Sequence, residues 1–286
     1  YGMKTVIYYE WVRRGKKRCI RCLAGLGIVM MLFFVSMLID RLLSDFSYNY
    51  MKWPQYIRNI MGMRSWHKTL WLDIWQIGCI LFVFVINWLF MYEIAESIIN
   101  EKKLETYIYL FNAGVKKREI LFGKFLFYFV AYVFEIAGQF ILNAVYFMAA
   151  GARINLYMIT NYHMVMLLVG FINLTFAVLF AVVAKKSFLT AKSYINGYLF
   201  GLFVVARIPA IFSFIGSFMS EYDVKGAIID KMDLCSRVLA GFGDICPIAW
   251  CQPYFKVAAV HIIYGVAIGV MVWLTSILIY NSSKDM

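Results

Sequence analysis

Six long apolar stretches dominate the pattern of hydrophobic and polar positions along the chain. Each is about as long as the ~20 residues that a helix needs to cross the hydrocarbon core of a bilayer, and charged residues flank them. The third is longer than this, so we expect it to tilt, bend or extend beyond the bilayer. The pattern predicts six transmembrane helices, at about 20–39, 74–95, 120–149, 162–184, 195–219 and 258–280.

The composition places these helices in a membrane protein. The 286 residues are 63% hydrophobic and 15% charged, whereas a soluble domain is about half apolar and about a quarter charged. Such a chain is too apolar to be disordered. Its net charge of +12 does not indicate a nucleic-acid binder, because so much apolar surface could not be buried in water. We expect one all-α polytopic membrane domain over 1–286, with the lipid bilayer as its surroundings and no nucleic acid partner.

The distribution of basic residues predicts the orientation of the chain. Lys and Arg are more frequent before span one, between spans two and three and after span four than in the alternate loops. By the positive-inside rule, both termini lie in the cytoplasm, and anionic lipid is the electrostatic partner of the basic residues. We expect a multi-pass protein of a bacterial plasma membrane. No small-residue cleavage site follows the first apolar run, so we expect no signal peptide.

The amino-terminal segment is expected to lie on the membrane surface. Residues 4–18 combine apolar side chains four positions apart with an almost continuous basic run. This combination is typical of an amphipathic helix in the inner interface. A basic flank that only sets topology is the alternative.

The outer segment 220–257 has a mixed pattern. It contains glycines, prolines and an apolar piece too short to span, so we expect an outer helix or a re-entrant element before span six. Cys235, Cys246 and Cys251 share this segment, and one disulfide among them is feasible. The spacing does not choose the pair.

The inner loop between spans two and three predicts a short amphipathic helix at about 101–113. Asn100 is a candidate N-cap, and Gly114 is expected to end the helix in the left-handed conformation. Three apolar positions recur with helical spacing: Leu104, Ile108 and Phe111. This helix would lie across the cytoplasmic mouth of the bundle, where a cytoplasmic partner could move it.

The sequence contains no convincing catalytic or metal-binding pattern. Gly123-Lys124 lacks the rest of a phosphate-binding loop, and Cys19 and Cys22 have no second pair to complete a zinc site. Gly241 to Asp244 and Tyr222-Asp223 match the strings of intramembrane aspartyl proteases, but both fall in one outer loop. We therefore expect a chain that is not an enzyme and holds no metal, with an intramembrane protease as the least favoured alternative.

Two charged residues fall near the middle of spans. Glu135 lies in the third span and Arg207 in the fifth. A charge is costly there, so such residues either pair with each other or line a translocation path. The second reading makes an ion-coupled secondary transporter the main alternative function. A non-transporting membrane anchor or sensor is a further one.

The stretch from Glu101 to Lys124 resembles a known segment. It is similar to the region after the second span in type-2 exporter permeases of the ATP-binding-cassette (ABC) superfamily. The departures are Glu105 where glycine is usual, Tyr107-Ile108 where Leu-Glu is usual, and Gly114 where proline is usual. The wider layout of the chain also fits. The matching positions are Thr106, Leu110, Val115, Lys117-Arg118, Glu119-Ile120-Leu121 and Gly123-Lys124.

The resemblance implies a permease subunit that dimerises, with an identical or a different permease, and docks a separate ABC ATPase dimer. ATP and Mg²⁺ would bind to that ATPase, with no cofactor on this chain. The two short helices would receive the ATPase's motion, and an amphipathic or hydrophobic peptide, drug or lipid-like substrate would move outward. The residues expected at the docking and coupling surface are Glu101, Leu104, Glu105, Thr106, Ile108, Phe111, Gly114, Lys116, Lys117 and Arg118.

Overall fold

A computed structural model describes residues 2–42, 70–105, 107–149, 156–185, 187–221, 246–250 and 258–282. These ranges are almost entirely helical and contain no strand. The eight α-helices of the described ranges are α1 (Gly2–Glu10), α2 (Lys16–Leu42), α3 (Leu70–Leu104), α4 (Tyr107–Asn112), α5 (Lys117–Ala149), α6 (Leu156–Val183), α7 (Phe188–Glu221) and α8 (Ala259–Ser282). A π-helical turn covers Trp11–Gly15, and a 3₁₀ turn covers Pro247–Trp250.

Six helical segments are long and apolar enough to cross a membrane. The first covers α1, the π-helical turn and most of α2, and the others lie within α3, α5, α6, α7 and α8. This confirms the prediction of an all-helical chain with six helices that are long and apolar enough to span a membrane. The largest difference is at the end of α3, which continues to Leu104 instead of ending near residue 95. Its last turns contain Glu93, Glu96 and Glu101, and each of these carboxylates contacts a basic residue of another helix.

The amino-terminal segment is joined to the first span without a loop. The backbone stays helical from α1 through the π-helical turn into α2. A π-helical turn inserts an extra residue into the helical path and so changes its register. Gly15 lies in this turn close to Trp11, whose Cδ2 would be 2.9 Å from a Cβ at position 15. The helix predicted over 4–18 is therefore not separated from the first span by a break. Its place in the membrane interface stays a prediction.

Helix α6 lies at the centre of the bundle and packs against α3, α5, α7 and α8. Most of its residues are buried, including Ile159, Met166 and Val178. A helix that is apolar all round is typical of such a central position. In contrast, α2, α7 and α8 expose many large apolar side chains, as helices facing lipid or another apolar surface do.

Two glycines allow α8 to approach α6 closely. A Cβ at Gly269 would lie 2.2 Å from Phe171 Cε1, and one at Gly265 would lie 3.0 Å from Leu168 Cδ2. Small residues four positions apart are a common way for two membrane helices to come into contact. The close contact between α6 and α8 therefore requires that positions 265 and 269 carry no side chain.

A polar network joins α3, α5, α6 and α7 inside the bundle. Asn173 Nδ2 donates to Asn87 Oδ1 at 3.0 Å, and Tyr198 OH donates to Asn173 Oδ1 at 3.0 Å. Asn87 Nδ2 also donates to Tyr132 OH at 3.4 Å, and that hydroxyl donates to the Met166 carbonyl at 3.1 Å. Such bonds between membrane helices contribute about 0.6–2 kcal/mol each, so the network fixes how the four helices are arranged.

We predict that Gly269→Ala lowers the stability of the protein, whereas Gly201→Ala does not. A methyl group at position 269 must displace Phe171, and overpacking of this kind costs about 1–3 kcal/mol. Nothing lies within 4 Å of a Cβ at Gly201 on α7. Thermal unfolding of the two variants in the same detergent measures the difference. Equal melting temperatures would contradict the close packing of α6 against α8.

Candidate functional site

The segment that resembles an exporter permease lies where several elements meet, which we call the amino-terminal junction. It consists of α1, the last turns of α3, α4 and the first turns of α5. Helix α1 packs along α5, and apolar and charged side chains connect all four elements. The apolar cluster of the junction is Val6, Leu110, Val115 and Ile120.

The predicted helix at 101–113 is divided between two elements. Helix α3 runs unbroken to Leu104, so the prediction of an N-cap at Asn100 is wrong. The chain then turns at Glu105, which has a φ of +56°, and α4 begins at Tyr107. Glycine adopts this left-handed conformation without steric cost. Glu105 is the position where glycine is usual in the permeases that the segment resembles.

The end of α4 is confirmed as predicted, because Gly114 has a φ of +77°. Its N–H donates to the Phe111 carbonyl at 2.8 Å, and the Val115 N–H donates to the Leu110 carbonyl at 3.0 Å. These two bonds and the apolar contact between Leu110 and Val115 form a Schellman motif. The chain therefore reverses at Gly114 and places Val115 in the apolar cluster.

The first turn of α5 is capped by the carboxylate of Glu119, which belongs to the same helix. The Lys116 N–H donates to Glu119 Oε2 at 2.9 Å. A glutamate three residues into a helix that reaches back in this way satisfies an N–H group with no helical partner. The Glu-Ile-Leu portion of the segment thus begins α5, with Ile120 in the apolar cluster.

The centre of the junction is the buried ammonium group of Lys124, whose side chain is 1% exposed. Its Nζ donates to the Glu10 carboxylate, to Ser97 Oγ at 2.5 Å and to Glu101 Oε1 at 2.7 Å. Ser97 Oγ in turn donates to Glu10 Oε1 at 2.8 Å. All three ammonium protons are therefore donated in hydrogen bonds, and α1, α3 and α5 are joined at this lysine.

Gly123 explains how α1 comes close enough to reach Lys124. A Cβ at position 123 would lie 2.8 Å from the Cβ of Val6 and 3.4 Å from the Met3 carbonyl oxygen. Because α1 occupies that space, no side chain fits there. The Gly123-Lys124 pair therefore has a structural role. Gly123 leaves room for α1, and Lys124 binds the Glu10 carboxylate of α1.

Further ion pairs join the π-helical turn and α2 to α3. Arg14 Nη1 lies 3.2 Å from Glu96 Oε2, and Arg18 and Arg21 both bind Glu93. The basic run at the amino terminus is therefore paired with carboxylates in the last turns of α3.

No protein-family model matches the chain, and no curated protein matches it.

The expected docking residues differ in exposure. Leu104 is 60% exposed and Ile108 42% exposed, while Phe111 is half-buried. Lys116 and Arg118 are exposed, and Thr106 lies outside the described residues. Tyr109, which the sequence did not single out, is 76% exposed. Helix α4 thus faces the junction with Leu110 and presents Ile108 and Tyr109 to the outside.

Glu135 faces α2. Its carboxylate interacts with the Cys22 thiol, and its Oε1 would lie 3.0 Å from a Cβ at Gly25. Helix α7 contains Arg207 and packs on α3 and α6, but the Arg207 side chain lies outside the described residues. An ion pair of Glu135 with Arg207, or a role of either in transport, stays a prediction.

The outer segment is described only at residues 220–221 and 246–250. Cys246 is buried, and its Sγ lies 3.4 Å from the Leu202 carbonyl oxygen. Cys235 and Cys251 lie outside the described residues, so a disulfide among the three stays a prediction. Within the described ranges, no group of three His, Cys, Asp or Glu side chains is placed to hold a metal ion.

We predict that Lys124→Met lowers the free energy of unfolding by about 3–5 kcal/mol, because Glu10 and Glu101 would remain buried without their cation. Lys103→Met is the control, since Lys103 is exposed two residues after Glu101. Unfolding in mixed micelles measures both variants. Adding Glu10→Gln and Glu101→Gln to Lys124→Met should restore part of the loss. A Lys124→Met protein as stable as Lys103→Met would contradict the network.

We predict that Glu105→Gly raises stability by about 1 kcal/mol, because it removes the strain of a left-handed non-glycine residue. Glu105→Ala removes the same carboxylate but keeps a Cβ, so it should give no gain. Thermal unfolding of the two variants separates backbone strain from charge. A gain of the same size in both would assign the effect to the carboxylate.

Proposed function

We propose that this chain is the transmembrane permease subunit of a type-2 ABC exporter, driven by a separate ATPase subunit. The observation that supports this best is the arrangement of α4. One side of the helix is anchored through Leu110 in the junction, and the other side presents exposed apolar residues beside exposed basic ones. Such an element suits a partner that must both bind the permease and move it.

The proposed docking surface is the exposed side of α4 together with the last residue of α3. It consists of Leu104, Ile108 and Tyr109, with Lys116 and Arg118 nearby in sequence. Large exposed apolar side chains that cluster mark interaction sites, and aromatic anchors contribute strongly to such interfaces. By the positive-inside rule this end of the bundle lies in the cytoplasm, where a nucleotide-binding ATPase would meet it.

The junction supplies the path for coupling. A push on α4 reaches α1 through the apolar cluster and reaches α3 and α5 through Glu101 and Lys124. Closure of an ATPase dimer would therefore move three spans together and rearrange the permease. An amphipathic or hydrophobic substrate would then leave outward across the plasma membrane. The exposed apolar sides of α2, α7 and α8 are available to lipid and to a second permease copy.

We predict that Tyr109→Glu weakens ATPase docking. The full chain is purified from its native host in mild detergent, and the co-purifying ATPase and its ATP hydrolysis are quantified. Loss of an aromatic anchor costs about 2 kcal/mol or more, so the bound ATPase should fall at least about tenfold.

Tyr157→Glu is the matched control for docking. Tyr157 is 68% exposed but lies at the first turn of α6, so it should retain the ATPase. The proposal fails if the wild-type chain brings no ATPase with it, or if the two variants retain equal amounts.

A further inference from the structure

A cavity of about 340 Å³ lies beside the junction, between the π-helical turn, α2, α3 and α5. Its size falls within the ~300–1,000 Å³ of small-molecule sites. Five basic residues line it: Arg13, Arg14, Lys17, Arg18 and Arg21. The proposed docking function makes no use of this cavity.

The basic residues outnumber the acidic ones around the cavity. Its carboxylates are Glu93 and Glu96. Arg18 and Arg21 both bind Glu93, and Arg14 binds Glu96, so each carboxylate already has a cation. The cavity therefore keeps an excess of positive charge, which favours an anionic occupant.

Arg18 gives the cavity a specific site for an anion. The residue is only 6% exposed, and its guanidinium stacks on the Phe90 ring with Cζ 3.3 Å from the centroid. Nη1 binds Glu93, but the buried Nε and Nη2 have no hydrogen-bond partner. A buried donor without an acceptor is costly. The planar fork of arginine matches the oxygens of a phosphate group.

The surroundings of the cavity favour a phosphate that belongs to an amphipathic molecule. Phe127 and Tyr128 form its apolar wall. Arg21 is 63% exposed at its edge, and Ile20 and Leu23 are exposed next to it on α2. A charged pocket that adjoins the apolar surface of a membrane-spanning helix can hold a headgroup while an acyl chain follows the helix.

We propose that this cavity binds the phosphate group of an anionic lipid, with Arg18 as the central ligand. The proposal does not depend on the exporter function. A free phosphate ion would use the same chemistry, so the experiment includes it as a separate probe.

The test is native mass spectrometry of the delipidated full chain in detergent with two short-chain lipids. Dioctanoylphosphatidylglycerol should bind saturably, one molecule per chain, and at least about tenfold tighter than dioctanoylphosphatidylcholine. Arg18→Gln should weaken this binding by about tenfold or more, because the loss of one hydrogen bond to a charged group reduces affinity by about that factor. Arg118→Gln is the control, because Arg118 is exposed and does not line the cavity.

Inorganic phosphate distinguishes the two sources of the anion. Arg18-dependent binding of the lipid alone assigns the site to a headgroup, and Arg18-dependent binding of phosphate without lipid assigns it to the free ion. If Arg18→Gln does not remain monodisperse, Arg21→Gln takes its place, since Arg21 is largely exposed. Unsaturable binding, equal affinity for the two lipids, or full binding by the arginine variants would overturn the proposal.

Discussion

The buried ammonium group of Lys124 determines how the amino-terminal end of the bundle is built. It is removed from water and is bound by carboxylates from two other helices. An isolated buried charge is too costly to keep, so Lys124 requires acidic partners. Glu101 comes from α3, and Glu10 comes from α1. Gly123 leaves the space in which α1 lies. Because the three helices meet at one cation, α1 cannot leave the bundle without separating the Glu10 carboxylate from the ammonium group of Lys124.

The proposed function and the architecture share residues at this end of the molecule. Leu110 anchors α4 in the same cluster as Val6 and Ile120, so a partner that moves α4 also acts on α1 and α5. Arg13 lines the basic cavity and lies 3.9 Å from Glu101. The proposed docking surface and the proposed phosphate site are thus connected through side chains that belong to one network.

The sequence predicted the six spans because their length and apolarity are set locally by the bilayer, and it predicted Gly114 because a left-handed helix end favours glycine. It did not predict the network. Glu10 appears as one acid in a basic run, and Lys124 appeared as a fragment of a nucleotide motif. Asn100 has the residue type of an N-cap, but Glu101 directly after it is bound by Lys124 of α5 and lies 3.9 Å from Arg13 of the π-helical turn, and α3 continues past it. These features depend on contacts between segments distant in sequence, which periodicity does not record.

Amide hydrogen exchange of the wild type and Lys124→Met in the same detergent tests most directly whether the junction is one cooperative unit. The account predicts that the amides of α1, α4 and the first turns of α5 lose protection together in the variant. The amides of α6 and α8 should keep their protection. Loss confined to α1, or unchanged protection in α4, would contradict the claim that Lys124 holds these elements together.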